Sequence, residues 1–297
     1  MANQNQSAEQ PGLPATRKYA DKQSLPFQAW MIQKKRKQRN EVIDKLKALI
    51  NSLFSASEQG AFYVPKPIVN GAQALFQDSA GTMPVTADGD PDGLMIDQSP
   101  NSNNASQPTT SDRPVYKTDG TLNRLYADGV NDLMNLPASL IPNGAALRLT
   151  SFAMSTTVAA SSNKIIGFGT NATNQAWRIG TSSTGAIRVE SQGQNIIGTI
   201  SVTDGTAHVV TVYTTGSNLS TTVIRVDGVI DAISNPSSAV LNTDASGQAF
   251  LFAKENTNEP FKGDLFSLVH VLPAAVVSAS NIDDVESYLA YLAGVTL

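Results

Sequence analysis

Three aspartates alternate with other residues in Asp88-Gly89-Asp90-Pro91-Asp92-Gly93. An EF-hand loop offers oxygens at this spacing and turns on a glycine at its sixth position. The bidentate glutamate that would close such a loop is replaced here by Ser99, its fourth position is Pro91, and residues 71–87 carry no helical pattern to frame it. The composition predicts instead a turn joining short strands, because Asp and Gly accept left-handed backbone and Pro presets φ. Asp88, Asp90 and Asp92 are the residues that would hold calcium if the loop took an ion. No other cofactor is implied.

Catalytic patterns are missing. Glycosidases need two carboxylates facing one cleft, and no Glu-x-Asp-x-Glu occurs. Glu190 stands alone in AIRVESQG, while turns account for Asp227 and Asp264. There is no Gly-x-Ser-x-Gly, and the two histidines, His208 and His270, fall inside strand patterns, where core packing or a rim hydrogen bond explains them. With no cysteine, thiolate chemistry and disulfides are excluded. His and carboxylate pairs at metal-ligand spacing are absent, and GFGTNATNQ lacks both the Walker lysine and a third glycine at Rossmann spacing. The expectation is a protein that is not an enzyme.

Binding residues are easier to nominate. Trp177, Tyr126 and Tyr213 could stack on a sugar face, although aromatics in alternating strands usually point inward. A second group lies near the N-terminus. Phe27 and Trp30 precede the basic cluster Lys34, Lys35, Arg36, Lys37 and Arg39, and the apolar stripe Val42, Ile43, Leu46, Leu49, Ile50 and Leu53 follows it at helical spacing. These residues form the expected docking or oligomer interface, since such a stripe is costly to leave wet. Burial against the chain's own β domain remains the alternative. Between Arg17 and Lys47 there are ten Lys/Arg and three Asp/Glu, against eleven and twenty-one from Ala48 onward. A basic arm therefore precedes an acidic body.

The elements that must position these groups follow from the same text. Residues 1–23 are polar and read as an extended or mobile arm. Ser24 and Pro26 open a basic amphipathic helix over 24–56, and 57–71, with Val64-Pro65-Lys66-Pro67, reads as a linker. From 72 to 297, strand-like runs such as KIIGFGT, AWRIGT, AIRVES, HVVTVYTT and TTVIRV recur about every ten residues with turn residues between, the pattern of an antiparallel sandwich or barrel. Val226-Asp227-Gly228-Val229 is a hairpin turn, and IDDVESYLAYLA, capped at Ser280 and stopped at Gly294, is a short C-terminal helix. No run of eighteen apolar residues and no signal-peptide pattern is present, so a soluble, non-secreted product without membrane insertion is expected.

The segments DGTAHVVTV, VIRVDG and FKGDLFSLVHVLPAAVVSASNIDDVESYLA resemble the laminin-G-like, concanavalin A-like (lectin/glucanase) jelly roll. ALFQDSAGTMPVTADGDPDGLMIDQSPNSNNASQ, RPVYKTDG and YADGVNDLMNLP are similar to the version found in tailed-bacteriophage virion proteins. The resemblance covers residues 72–294 and does not reach the N-terminal arm. It implies a mainly β protein, an antiparallel β-sandwich with an N-terminal α-helical anchor and a short C-terminal helix. It further implies a structural or accessory protein of a phage virion, made in the host cytoplasm, that decorates the capsid or forms a head fibre, neck or tail appendage. Other virion proteins, further copies of the chain and host-surface glycans are the expected partners. A free carbohydrate-binding lectin is the alternative. A basic arm that binds nucleic acid is the third reading, and it would require the acidic body to be held away from the phosphates.

Overall fold

The computed structural model describes residues 29–34, 37, 44, 47–50, 52–55, 57–254 and 259–297. The chain divides into two units, Met1–Ile43 and Asp44–Leu297. Of the expected docking residues, Phe27, Lys35, Arg36, Arg39, Val42, Ile43 and Leu46 lie outside the described residues. In the first unit residues 29–34 are helical, Trp30 is exposed, and the Lys34 ammonium sits 5.2 Å from the centre of its indole.

The second unit is a mainly antiparallel β-sandwich. Its eight-stranded sheet runs Val229–Asp231, Thr222–Val226, His208–Thr214, Leu149–Ser155, Lys262–Leu272, Asn123–Asp128 and Val115–Thr118, with Gln59–Tyr63 also paired to Lys262–Leu272. Its nine-stranded sheet runs Gln194–Ser201, Ala186–Ser191, Ala176–Thr181, Lys164–Gly169, Gln248–Leu251, Met134–Asn135, Ala105–Ser106, Leu94–Met95 and Leu75–Phe76. The alternation seen in the sequence becomes the layer structure. Phe152, Val210 and Leu268 face Ile166, Ile179, Val189 and Leu251 across one continuous core. Asp227 and Gly228 take positive φ of 48° and 79°, making the expected hairpin turn.

The outer face of the eight-stranded sheet buries a second cluster. The C-terminal helix Ala279–Ala293 contributes Ile282, Val285, Tyr288 and Leu289, and Arg225 of the sheet pins it through Glu286 at 2.9 Å. Its N-cap is Ser278, whose side chain accepts from the Asn281 N–H, two residues before the Ser280 expected from sequence; Gly294 ends it as expected. Ile50 and Leu53 are buried in this same cluster with Phe54, and Leu49 packs against it half-buried. This corrects the docking expectation for those residues, because their side chains already cover their own sheet, at about 1.5–3 kcal/mol for each large aliphatic group. Trp30, Lys34 and Lys37 are exposed.

The 57–71 linker is also corrected. Gln59–Tyr63 pairs with Lys262–Leu272 from Gln59↔Leu272 to Tyr63↔Leu268, and Phe62 and Tyr63 are buried. The other edge of this strand is closed by side chains from the Asn-rich run. Asp97 accepts from the Phe62 N–H at 2.8 Å, while the amides of Asn101 and Asn103 donate to the Gly60 carbonyl at 3.0 and 2.8 Å. Pro65 and Pro67 lie beyond the strand, where their missing N–H groups cost no ladder bond.

Candidate functional site

The three aspartates nominated for calcium point three ways. Asp88 accepts from the Thr118 N–H at 2.8 Å and stands 3.9 Å from Lys117, whereas Asp90 folds back to accept from the Thr86 and Ala87 N–H groups. Asp92 is fully buried and neither carboxylate oxygen has a hydrogen-bond partner. Burial raises its pKa well above the usual carboxylate range, against the opposing backbone of Phe76 and Leu94 and the Arg113 charge. The ligand expectation is therefore corrected: one ion cannot reach all three. Among the described residues, no group of three His, Asp or Glu side chains could hold a metal.

The stacking aromatics do not converge either. Trp177 is fully buried between the sheets, with the Arg148 guanidinium 4.9 Å from its ring centre, so it is core rather than ligand. Tyr213 packs half-buried against the cluster beneath the C-terminal helix. Tyr126 is paired with Asp264 and Val115 on the outer side of the same eight-stranded sheet. As a single sugar site these three are a correction, because Trp177 is sealed in the core and two strands separate those that carry Tyr213 and Tyr126.

The histidines are occupied structurally. His270 is buried, with Nδ1 2.9 Å from Thr150 Oγ1 and Nε2 3.0 Å from the Leu140 carbonyl, and burial lowers its pKa to about 4. His208 bridges Asp227 at 2.7 Å and Asp204 at 3.1 Å; burial pulls its pKa down, but these two hydrogen bonds outweigh it and the pKa is raised. A proton held between two carboxylates makes His208 a poor base for Thr206, whose hydroxyl lies 3.3 Å away.

A polar constellation occupies the outer face of the nine-stranded sheet. Cross-strand pairing puts Asn135, Phe250, Gly167, Arg178, Glu190 and Asn195 in one row on one face. The next row carries Lys164, Gly180 and Arg188. Gly167 is required there because a Cβ would meet the Lys254 carbonyl at 2.6 Å, where the chain crosses the face. Gly180 lies under the Lys164 backbone and side chain in the same way.

Glu190 is the hub of this face. Its carboxylate contacts Lys164 at 3.1 Å, Arg178 at 3.3 Å and Arg188 at 3.1 Å. Burial works to raise its pKa, but the cations of Lys164, Arg188 and Arg178 prevail and hold it below its ordinary value. Lys164 is fully buried, donates to the Ser161 carbonyl at 2.7 Å and also reaches Glu259 at 3.4 Å. Arg178 donates further to Gln192, to the Asn171 side chain at 2.6 Å and to the Thr170 carbonyl at 3.1 Å. The Asn235 amide donates to the Asn195 side-chain oxygen at 3.0 Å and to its backbone carbonyl at 3.3 Å. Beside Asn135 and Phe250 the surface sinks into an open depression of about 230 Å³, lined also by Gln248 and Ala138.

Lys164, Arg178, Arg188 and the amides around them were missed by a motif search. A signal for part of the set was present in AIRVES, which puts Arg188 and Glu190 at alternate positions of one strand, where a solvated face would put them.

No protein-family model and no curated protein matches the chain. The fold is similar to that of a GH54 α-L-arabinofuranosidase soaked with a cyclic sulfate inhibitor, with TM-score 0.56 and 14% identity over 82% of this chain and 65% of that one. It is similar in the same way to an arabinofuranosidase complexed with arabinofuranosyl-α-1,2-xylobiose, with TM-score 0.55 and 12% identity over 82% and 65%. Domain 4 of AbnA, a GH43 extracellular arabinanase from Geobacillus stearothermophilus, gives TM-score 0.44 and 13% identity over 58% and 81%. The chain thus spans 65% of the length of the arabinofuranosidases it matches. The GH54 likeness agrees with the fold class expected from sequence, an antiparallel β-sandwich with a short C-terminal helix.

Proposed function

We propose that this chain is a non-catalytic carbohydrate-recognition protein whose outer nine-stranded face takes the sugar. Its basic N-terminal unit attaches it to a larger particle. The observation that carries the reading is the set of exposed and part-exposed groups Arg188, Gln192, Asn195 and Asn235, held in place by the buried Arg178–Glu190 pair, because a fixed guanidinium and carboxamides match the donors and acceptors of sugar hydroxyls. Support for a sugar also comes from the fold, since a similar sandwich occurs in an arabinofuranosidase complexed with arabinofuranosyl-α-1,2-xylobiose. Hydrolysis on this face is disfavoured by the state of the two carboxylates it carries among the described residues. A glycosidase needs one carboxyl with a raised pKa beside the scissile oxygen, whereas Glu190 is held low by three cations and Glu259 contacts both Lys164 and Lys254.

The particle is proposed to be a tailed-phage virion, on the resemblance of residues 72–294, with the β-sandwich displayed toward host glycans. The docking element narrows to the Met1–Ile43 unit, because Ile50 and Leu53 are already committed to the sandwich. A glycan array probed with the full chain and with the double variant Gln192→Ala/Asn195→Ala tests the sugar reading. Wild-type binding lost in the variant supports it; binding unchanged in the variant moves the site elsewhere.

A further inference from the structure

We propose that this face selects carboxylate-bearing saccharides, uronic or sialic acids, and that Arg188 takes the carboxylate. The inference rests on the reading of the face as a sugar site and goes beyond it by naming the ligand class.

The face is cationic on an acidic protein. Among the described residues, four basic side chains, Lys164, Arg178, Arg188 and Lys254, meet two carboxylates, Glu190 and Glu259, while the whole chain carries a formal charge of −4. A neutral sugar would satisfy amides and leave that positive excess uncompensated; a saccharide carboxylate would neutralise part of it in a setting where water is partly excluded.

Among the described residues of this face, Arg188 and Lys254 keep donors to spare, and of the two Arg188 presents a planar fork. Lys164 is fully buried, and Arg178, nearly so, spends its guanidinium on Glu190, Gln192, Asn171 and the Thr170 carbonyl. Arg188 keeps 18% of its side chain exposed. One nitrogen reaches Glu190 at 3.1 Å, and its other hydrogen bond, to the Ser161 carbonyl, is long at 3.4 Å. A guanidinium has five N–H donors in a planar fork, so edge geometry remains for a bidentate carboxylate. Arg188 is paired in register to Gly180, which adds no side chain beside it.

The test is calorimetric titration of the full chain with sialyllactose and oligogalacturonate, against lactose and neutral galacto-oligosaccharide. The expected result is binding of at least one acidic probe, about tenfold weaker in Arg188→Gln, with Arg188→Lys intermediate because it keeps charge without the fork. Melting curves of the variants establish that they are folded. Acidic and neutral probes bound alike, with Arg188→Gln unchanged, would overturn the acid preference and leave the sugar reading standing. If no saccharide of either kind binds, the sugar reading falls and takes this inference with it.

Discussion

Asp92 shows how a residue's chemistry is set by where its chain turns. The sequence places it in a turn, with calcium ligation as the alternative; the structure seals it in the core with neither carboxylate oxygen hydrogen-bonded. Its pKa is raised by burial, so its unfavourable ionisation is absent below the unfolded carboxylate value and grows as pH rises toward the folded one. The Asp92 contribution should therefore fall from about pH 4 upward, read as a melting-temperature difference between Asp92→Asn and wild type that shifts in favour of the variant as pH rises. Millimolar calcium should leave both curves in place, and a calcium-dependent rise of several degrees would restore the ligand reading. His208 supplies a second pH term. Because its pKa is raised by Asp227 and Asp204, its contribution is fully present below about pH 6.5 and is lost as pH rises through the folded value. A His208→Gln variant should lose that slope, at a cost of under about 1 kcal/mol near neutral pH, measured by urea denaturation at several pH values.

At the scale of elements, the strands after Ala145 were legible because they alternate, and the hairpin at Asp227-Gly228 because few dipeptides make that turn. The Gln59–Tyr63 strand was not. Its text, QGAFYVPKP, is short, has no alternation and runs into prolines, so local rules read a linker where long-range pairing with Lys262–Leu272 decides the outcome. The Asn-rich run that follows Asp97 carries no strand or helix pattern, yet its side chains close that strand's free edge. Asp97 accepts from the N–H groups of Phe62, Ser99 and Asn103. An Asp97→Ala variant should lose on the order of 3 kcal/mol in chemical denaturation, because it strands several buried N–H groups at once. A loss under about 0.5 kcal/mol would mean that the edge is held by the backbone alone. The same logic sets the boundary of the folded unit. A chain beginning at Asp44 should melt cooperatively near the wild-type temperature, and one beginning after Val64 should not fold. Limited proteolysis that cleaves within 57–71 and leaves a stable core would reverse that assignment.

For the whole molecule, the charge asymmetry between a basic N-terminal region and an acidic remainder was plain in the sequence, and the sandwich followed from strand spacing. The candidate face was hidden because it is assembled from separate strands whose register no local pattern fixes: Arg178 meets Glu190 only through pairing of neighbouring strands. On the proposed virion role, deleting residues 1–43 should leave the sandwich folded while abolishing incorporation into particles, read by mass spectrometry of purified virions. The account stands most directly on the location of the sugar. Hydrogen–deuterium exchange of the full chain, with and without the strongest glycan from the array, should show protection concentrated in residues 176–201, where Arg178, Arg188, Glu190 and Asn195 lie. Protection confined to the eight-stranded sheet around Tyr126 and Tyr213, with residues 176–201 unchanged, would contradict it.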